Sequence, residues 1–234
     1  MSHSACDNCE FDQYSAKYGE ALAQGLAVSG EEPEYFARAR MQWLADRLRE
    51  LGEQPATAID FGCGTGLATT FLFEIIGVTQ LYGIDNSSKS LEVAKRQHRS
   101  LAAEFTLLKD YNPAGYLDLA FCNGVFHHIP PGERAAAIDY VYRSLRPGGL
   151  FAFWENNPWN PGTRYVMSRI PFDRDAITLT PPEARALLRA GGFEVLRTDF
   201  LFIFPRALHW LRGIEPHVAR WPFGAQYQIL GRRK

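Results

Sequence analysis

Long apolar runs are missing from this 234-residue chain, so no segment can span a bilayer as a helix. Cysteine is scarce. Cys6, Cys9, Cys63 and Cys122 are too few for a disulfide framework at this length. Cys6 and Cys9 form a C-x-x-C, but a second pair at zinc-ligand spacing is lacking nearby. The pair therefore reads as part of a solvated tail, and no metal site is expected. Net charge is nearly absent at -1, so no global field draws the chain to nucleic acid or to a membrane surface. A basic tail and a nucleic-acid recognition module are also lacking, which argues against a nucleic-acid partner. Residues 1–10, MSHSACDNCE, lack the basic and apolar regions of a signal peptide, and the expected compartment is the cytoplasm. Internal repeats and low-complexity tracts are not found.

What is present is ordinary globular composition, with 46% hydrophobic and 22% charged residues. The charge is unevenly spread. Residues 1–155 carry 13 basic against 20 acidic side chains, and residues 156–234 carry 12 against 6. A C-terminal portion with a net charge of +6 suits an anionic substrate. The expected division is a tail with lid helices over 1–52, followed by a ligand-binding domain over 53–234. Segments 156–180 and 205–222 are expected as substrate-side insertions.

Two helices are expected first, over Phe11 to Leu26 and from Pro33 to Gly52. Short apolar runs then alternate with amphipathic stretches. Strands are expected at Thr57–Phe61, Gln80–Ile84, Phe105–Leu108, Leu117–Cys122 and Leu150–Trp154, with helices between. This rhythm predicts an α/β fold of right-handed βαβ units, with a parallel sheet covered by helices on both faces. Two further strands, Phe193–Phe204 and Ala225–Leu230, lack a clear helical crossover and are expected as an antiparallel pair at the sheet edge. Phe200, Phe202 and Phe204 alternate along the first of these and are expected to pack on one sheet face.

The strongest local signal is "AIDFGCGTGLA", Ala58 to Ala68, with Gly62, Gly64 and Gly66 behind an apolar run. Ligands of open α/β sheets bind beyond the carboxyl ends of the strands. Alternate glycines let the backbone turn sharply and approach a ligand closely. Asp85 ends the next strand 19 residues beyond Gly66, where a carboxylate can hold a ribose diol. Two features disfavour a dinucleotide. Asp60 beside a pyrophosphate would repel it, but would welcome an ammonium or sulfonium. The spacing is G-x-G-x-G, and Leu67 stands where the dinucleotide fingerprint needs a small residue.

The motif Ile59–Gly66, the stretch Gly83–Ser87, the run Leu117–Ile129 and the turn Leu145–Gly149 together resemble the ordered motifs of class I S-adenosylmethionine-dependent methyltransferases. The resemblance implies a Rossmann-like, seven-stranded, mostly parallel sheet with an antiparallel last strand. It implies S-adenosylmethionine as cofactor. Gly62, Cys63 and Gly64 would line its methionine part, and Asp60 would lie near its amino group. Asp85 would hold the ribose, with Asn86 beside the adenine and Asp110 and Tyr111 at the adenine edge. Asn123 and Gly124 would pass under the sulfonium. Tyr14 and Tyr18 could close over the cofactor, and Arg40 could meet its carboxylate. His127 and His128 stand near the expected transfer point, and one could act as a base.

The acceptor is expected to be a small molecule, held by the N-terminal helices and the segment after Glu155. Arg164, Arg169, Arg174 and Arg206 could bind a phosphate or carboxylate, which suggests an anionic or saccharide-linked acceptor. The chain is expected to be a monomer or homodimer. A nicotinamide oxidoreductase and a non-catalytic cofactor-binding module stay open as alternative readings.

Overall fold

The alternation of apolar runs and amphipathic stretches is realised as one seven-stranded sheet flanked by helices. A computed structural model describes residues 25–174 and 176–234. Tyr14, Tyr18, Cys6 and Cys9 therefore lie outside the described residues, as does nearly all of the first expected helix.

The strands are β1 (Thr57–Phe61), β2 (Gln80–Asp85), β3 (Ala103–Leu107), β4 (Leu117–Asn123), β5 (Leu145–Asn156), β6 (Phe193–Leu201) and β7 (Gln226–Arg233). The helices are α1 (Pro33–Leu51), α2 (Thr69–Phe71), α3 (Ser88–Gln97), α4 (Arg134–Ser144), α5 (Pro161–Arg169), α6 (Pro181–Ala190) and α7 (Glu215–Val218). A π-helical turn over Leu72–Ile76 continues α2. The spatial order is β3-β2-β1-β4-β5-β7-β6. The first five strands are parallel, and β7 runs antiparallel to both of its neighbours.

Side chains alternate across a strand, so each strand feeds two cores. In β5, Phe151 and Phe153 join Ile59, Ile138 and Leu188 under α4 and α6. Leu150, Ala152 and Trp154 join Met41, Leu44 and Leu72 under α1 and α2 on the other face. Burial on both faces explains why these strands read as nearly continuous apolar runs. Pro33 opens α1 at a position whose N–H has no helical partner, and Gly52 closes it at φ +69°.

Two strand expectations needed correction. The strand expected through Phe204 stops at Leu201, because Phe202 takes a left-handed φ of +64° that no strand sustains. The chain turns there, so Phe202 and Phe204 line a cavity, and Phe202 packs against the core on the α1 face while Phe200 belongs to the core on the other. The strand expected at Leu150–Trp154 begins five residues earlier and ends two later, taking in the Arg146–Gly149 turn. The proline-rich segment 156–180 contains α5 and a 3-10 turn at Pro171–Asp173, started by the Asn160 side chain accepting the Thr163 N–H.

Strands β1 and β4 are adjacent, with their connections leading to opposite sides of the sheet. That is the switch point of a doubly wound fold, and a crevice opens beyond its carboxyl edge.

Candidate active site

The glycine loop after β1 forms the floor of this crevice. Gly62 sits at φ +74°, and a Cβ there would lie 2.4 Å from Val125 Cγ2. The Gly62 and Cys63 N–H groups donate to the Ile84 carbonyl at 2.8 and 3.0 Å, tying the loop to β2. Asp85 completes the tie. Its carboxylate accepts the Gly64 N–H at 2.8 Å and the Ser87 N–H at 2.8 Å. Ser87 in turn caps α3 by accepting the Ser90 N–H.

Two cavities meet at this loop. The larger, of about 410 Å³, is lined by Asp60, Gly62, Cys63, Gly64, Asn123, Gly124, His127, His128 and Arg40, with apolar walls from Met167, Phe172, Phe202 and Phe204. The smaller, of about 190 Å³, lies over Asp85 and Asn86 and shares Gly62, Gly64, Asn123, Gly124 and His128 with the first. Asp110 and Tyr111 line neither cavity. Leu108 borders the smaller one, while Tyr111 packs against Tyr82 and Tyr140.

Electrostatics single out Asp60. Burial, and then the charge of Asp85, pushes its carboxyl up to about 8. Burial, and then the charges of Asp60 and Asp85, push the neighbouring Cys63 thiol well above its ordinary range. Asn123 Oδ1, buried at the junction of the cavities, has no hydrogen-bond partner among the described residues. A floor with a desolvated acid, an orphaned amide oxygen and a second carboxylate calls for a cationic, donor-rich ligand. The ammonium, sulfonium and ribose hydroxyls of S-adenosylmethionine satisfy those requirements.

Beside Gly124, His127 and His128 occupy a 3-10 turn shortly after β4. His127 Nδ1 meets Glu155 Oε2 at 2.6 Å, and its Nε2 faces Asp173 Oδ1 at 3.4 Å. His128 Nε2 lies 3.2 Å from the same Asp173 oxygen. Burial alone would lower the His127 pKa, but the two carboxylates outweigh it and raise it to about 10. Burial would likewise raise Asp173, but the two imidazoles hold it below the usual carboxylate range.

Arg134 fixes the turn. Its Nε donates to the Phe126 and Ile129 carbonyls at 3.1 and 2.9 Å, and its Nη2 donates to the Ile177 carbonyl. The Ile177 N–H returns to the His127 carbonyl at 2.9 Å, which locks the Asp173 segment onto the histidine turn.

The arginines are distributed differently from the sequence expectation. Arg164, Arg169, Arg174 and Arg206 are exposed and do not line either cavity. Arg40 and Arg212 do line the larger one. Arg40 donates to Gln226 Oε1 at 2.8 Å, and Arg212 pairs with Glu31 at 2.9 Å.

Comparison with known proteins decides the family. Residues 58–149 match a family model described as a methyltransferase domain. A trans-aconitate 2-methyltransferase of Rhizobium etli is 30% identical over 217 residues, covering 83% of both chains. The chain belongs to the class I S-adenosylmethionine-dependent methyltransferases.

S-adenosylmethionine is accordingly the cofactor of this methyltransferase. A trans-aconitate 2-methyltransferase of Azoarcus sp. is 28% identical over 137 residues, and that match covers 58% of this chain but only about half, 53%, of the relative. An S-adenosylmethionine-dependent methyltransferase structure from Thermotoga maritima superposes with a TM-score of 0.66 at 18% identity, covering 96% of this chain and 98% of that one, and so shares the fold.

The glycine loop and Asp85 of this methyltransferase were legible as motifs. Glu155 was expected only as the start of an acceptor-side segment, and Arg134 and Arg212 carried no expected site role. Glu155 carried a usable signal, since it stands near the carboxyl end of a central strand, where ligand sites gather.

Proposed function

We propose that this methyltransferase moves the methyl group of S-adenosylmethionine to a small, carboxylate-bearing acceptor in the larger cavity. One observation carries the reading. One cavity is lined by the Asp60 acid together with Arg40, His127 and His128. The Asp60 acid suits the cationic cofactor, and the Arg40 guanidinium suits an anion. Two relatives act, by name, on trans-aconitate, which is a tricarboxylate.

The proposed roles follow the geometry. Asp60 pairs with the amino group of the methionine part, along the backbone of Gly62, Cys63 and Gly64. Asp85 accepts from the ribose diol, with Asn86 beside the adenine. Asn123 and Gly124 border the sulfonium. S-adenosylmethionine supplies an electrophilic methyl on a sulfur that departs as a neutral thioether. The chain's own task is then alignment and exclusion of water. A carboxylate acceptor already bears its negative charge, so no base is required. His127, held between two carboxylates, is poorly suited to be one. We assign Arg40 to holding the anionic acceptor, with the His127–His128 turn forming part of the same cavity wall.

The test is label transfer from methyl-labelled cofactor to a panel of dicarboxylic and tricarboxylic acids, read by mass spectrometry. Labelled acid is the expected result. Label appearing only on neutral amines or sugars would overturn the assignment.

A further inference from the structure

We propose that His127, His128 and Asp173 form a site for zinc or a similar divalent transition metal, with an open coordination position facing the larger cavity.

One ligand atom from each of the three residues lies within 4.8 Å of the other two. The Asp173 oxygen stands 3.4 Å from His127 Nε2 and 3.2 Å from His128 Nε2. Charge-assisted hydrogen bonds close to about 2.7–2.9 Å. On its other edge the same His127 ring does reach a carboxylate closely, Glu155 at 2.6 Å. The Asp173 contacts are therefore long for ion-pair hydrogen bonds. They match a tetrahedral ion, which at about 2.0–2.1 Å from each ligand holds its ligands about 3.3–3.4 Å apart.

The surroundings are built for coordination. His127 Nδ1 is engaged by Glu155, which is fully buried and also accepts the Phe126 N–H at 2.7 Å. A carboxylate behind a histidine fixes the ring and leaves Nε2 as the ligand, which is the usual arrangement behind a protein-bound metal. Asp173 is carried to the site by the Ile177–His127 backbone bond and by Arg134, so the third ligand is positioned before any ion arrives. Two buried carboxylates, Glu155 and Asp173, flank the histidines, and a doubly charged cation offsets them. Two imidazoles and one carboxylate suit zinc, cobalt or iron rather than magnesium or calcium. All three ligands line the larger cavity, so a fourth position is open to an acceptor oxygen. That use of the site rests on the acceptor reading above. Metal binding itself does not.

The experiment uses the full chain, stripped with a chelator and titrated with Zn²⁺ and Co²⁺. The expected result is one equivalent of zinc per chain, and a cobalt form with intense visible d–d absorption and no thiolate-to-cobalt charge-transfer band. Asp173→Asn and His128→Ala should each weaken zinc binding at least about tenfold, and Glu155→Gln about 10–100-fold. The double variant Cys6→Ser/Cys9→Ser should keep full stoichiometry. Circular dichroism and a cooperative thermal melt of each variant, recorded with chelator present, report its folding independently of the metal. Absence of stoichiometric zinc in the unsubstituted chain overturns the proposal. So does zinc binding that survives Asp173→Asn combined with His128→Ala, or that disappears with Cys6 and Cys9. Zinc bound without any acid becoming labelled leaves the metal site standing and overturns the acceptor reading alone.

Discussion

Asp60 is buried across the glycine loop from Asp85: burial, and then the charge of Asp85, pushes the Asp60 carboxyl from 3.8 up to about 8. The folded state thus binds more protons than the unfolded state between those two values. Its stability falls as pH rises through that window. Asp60→Asn removes the term. The variant should match the unsubstituted chain at about pH 4 and melt several degrees higher at about pH 9. A thermal melt series across pH checks this, and equal melting temperatures at alkaline pH would contradict it.

The same raised value gives a binding prediction. Pairing Asp60 with an ammonium favours its charged form, so S-adenosylhomocysteine should expel about one proton near pH 7. Calorimetry in buffers of different ionisation enthalpy measures the number directly. In Asp60→Asn the release should vanish and affinity should drop.

Asp85 serves both the loop and the proposed ribose contact. Asp85→Ala leaves the Gly64 N–H without its 2.8 Å acceptor and removes the diol partner. Affinity for S-adenosylhomocysteine should fall about 10–100-fold, at the scale of lost charged hydrogen bonds. Unchanged affinity would remove Asp85 from the cofactor site.

Arg134→Met strips donors from the Phe126, Ile129 and Ile177 carbonyls in one step. Urea denaturation should show a loss of about 2–4 kcal/mol. Methyl transfer should fall further than stability explains, because Asp173 loses its tether to the histidine turn.

Gly62→Ala meets two penalties, a left-handed φ and a Cβ 2.4 Å from Val125. A loss of about 1–3 kcal/mol is expected. Adding Val125→Ala should return only part of it, since the backbone strain persists. Full recovery would mean that the clash alone explains the loss.

The parts of the site that could be read in advance lie close together in sequence. The glycine loop, Asp60 and Asp85 carry their spacing on the page, and the alternation of strands and helices follows from hydrophobic period. The histidine cluster does not. His127 meets Glu155 and Asp173 across 28 and 46 residues, and only sheet order and the Arg134 tether bring them together. The arginines mislead for a similar reason. Arg164 and Arg169 are near one another in sequence but face outward on α5, while Arg40 and Arg212 meet the cavity from elements far apart. Phe202 kept the alternation of a strand while its backbone had already left one, and a one-residue sign change in φ leaves no hydrophobic trace.

The insertion of β7 between β5 and β6 has a consequence for biosynthesis. Gln226, which begins β7, is the residue that Arg40 grips from the opposite end of the chain. During translation β5 and β6 leave the ribosome before the strand that separates them, so each waits with an open edge. The nascent polypeptide cannot complete this wall of its pocket until the final strand has emerged and been threaded into place.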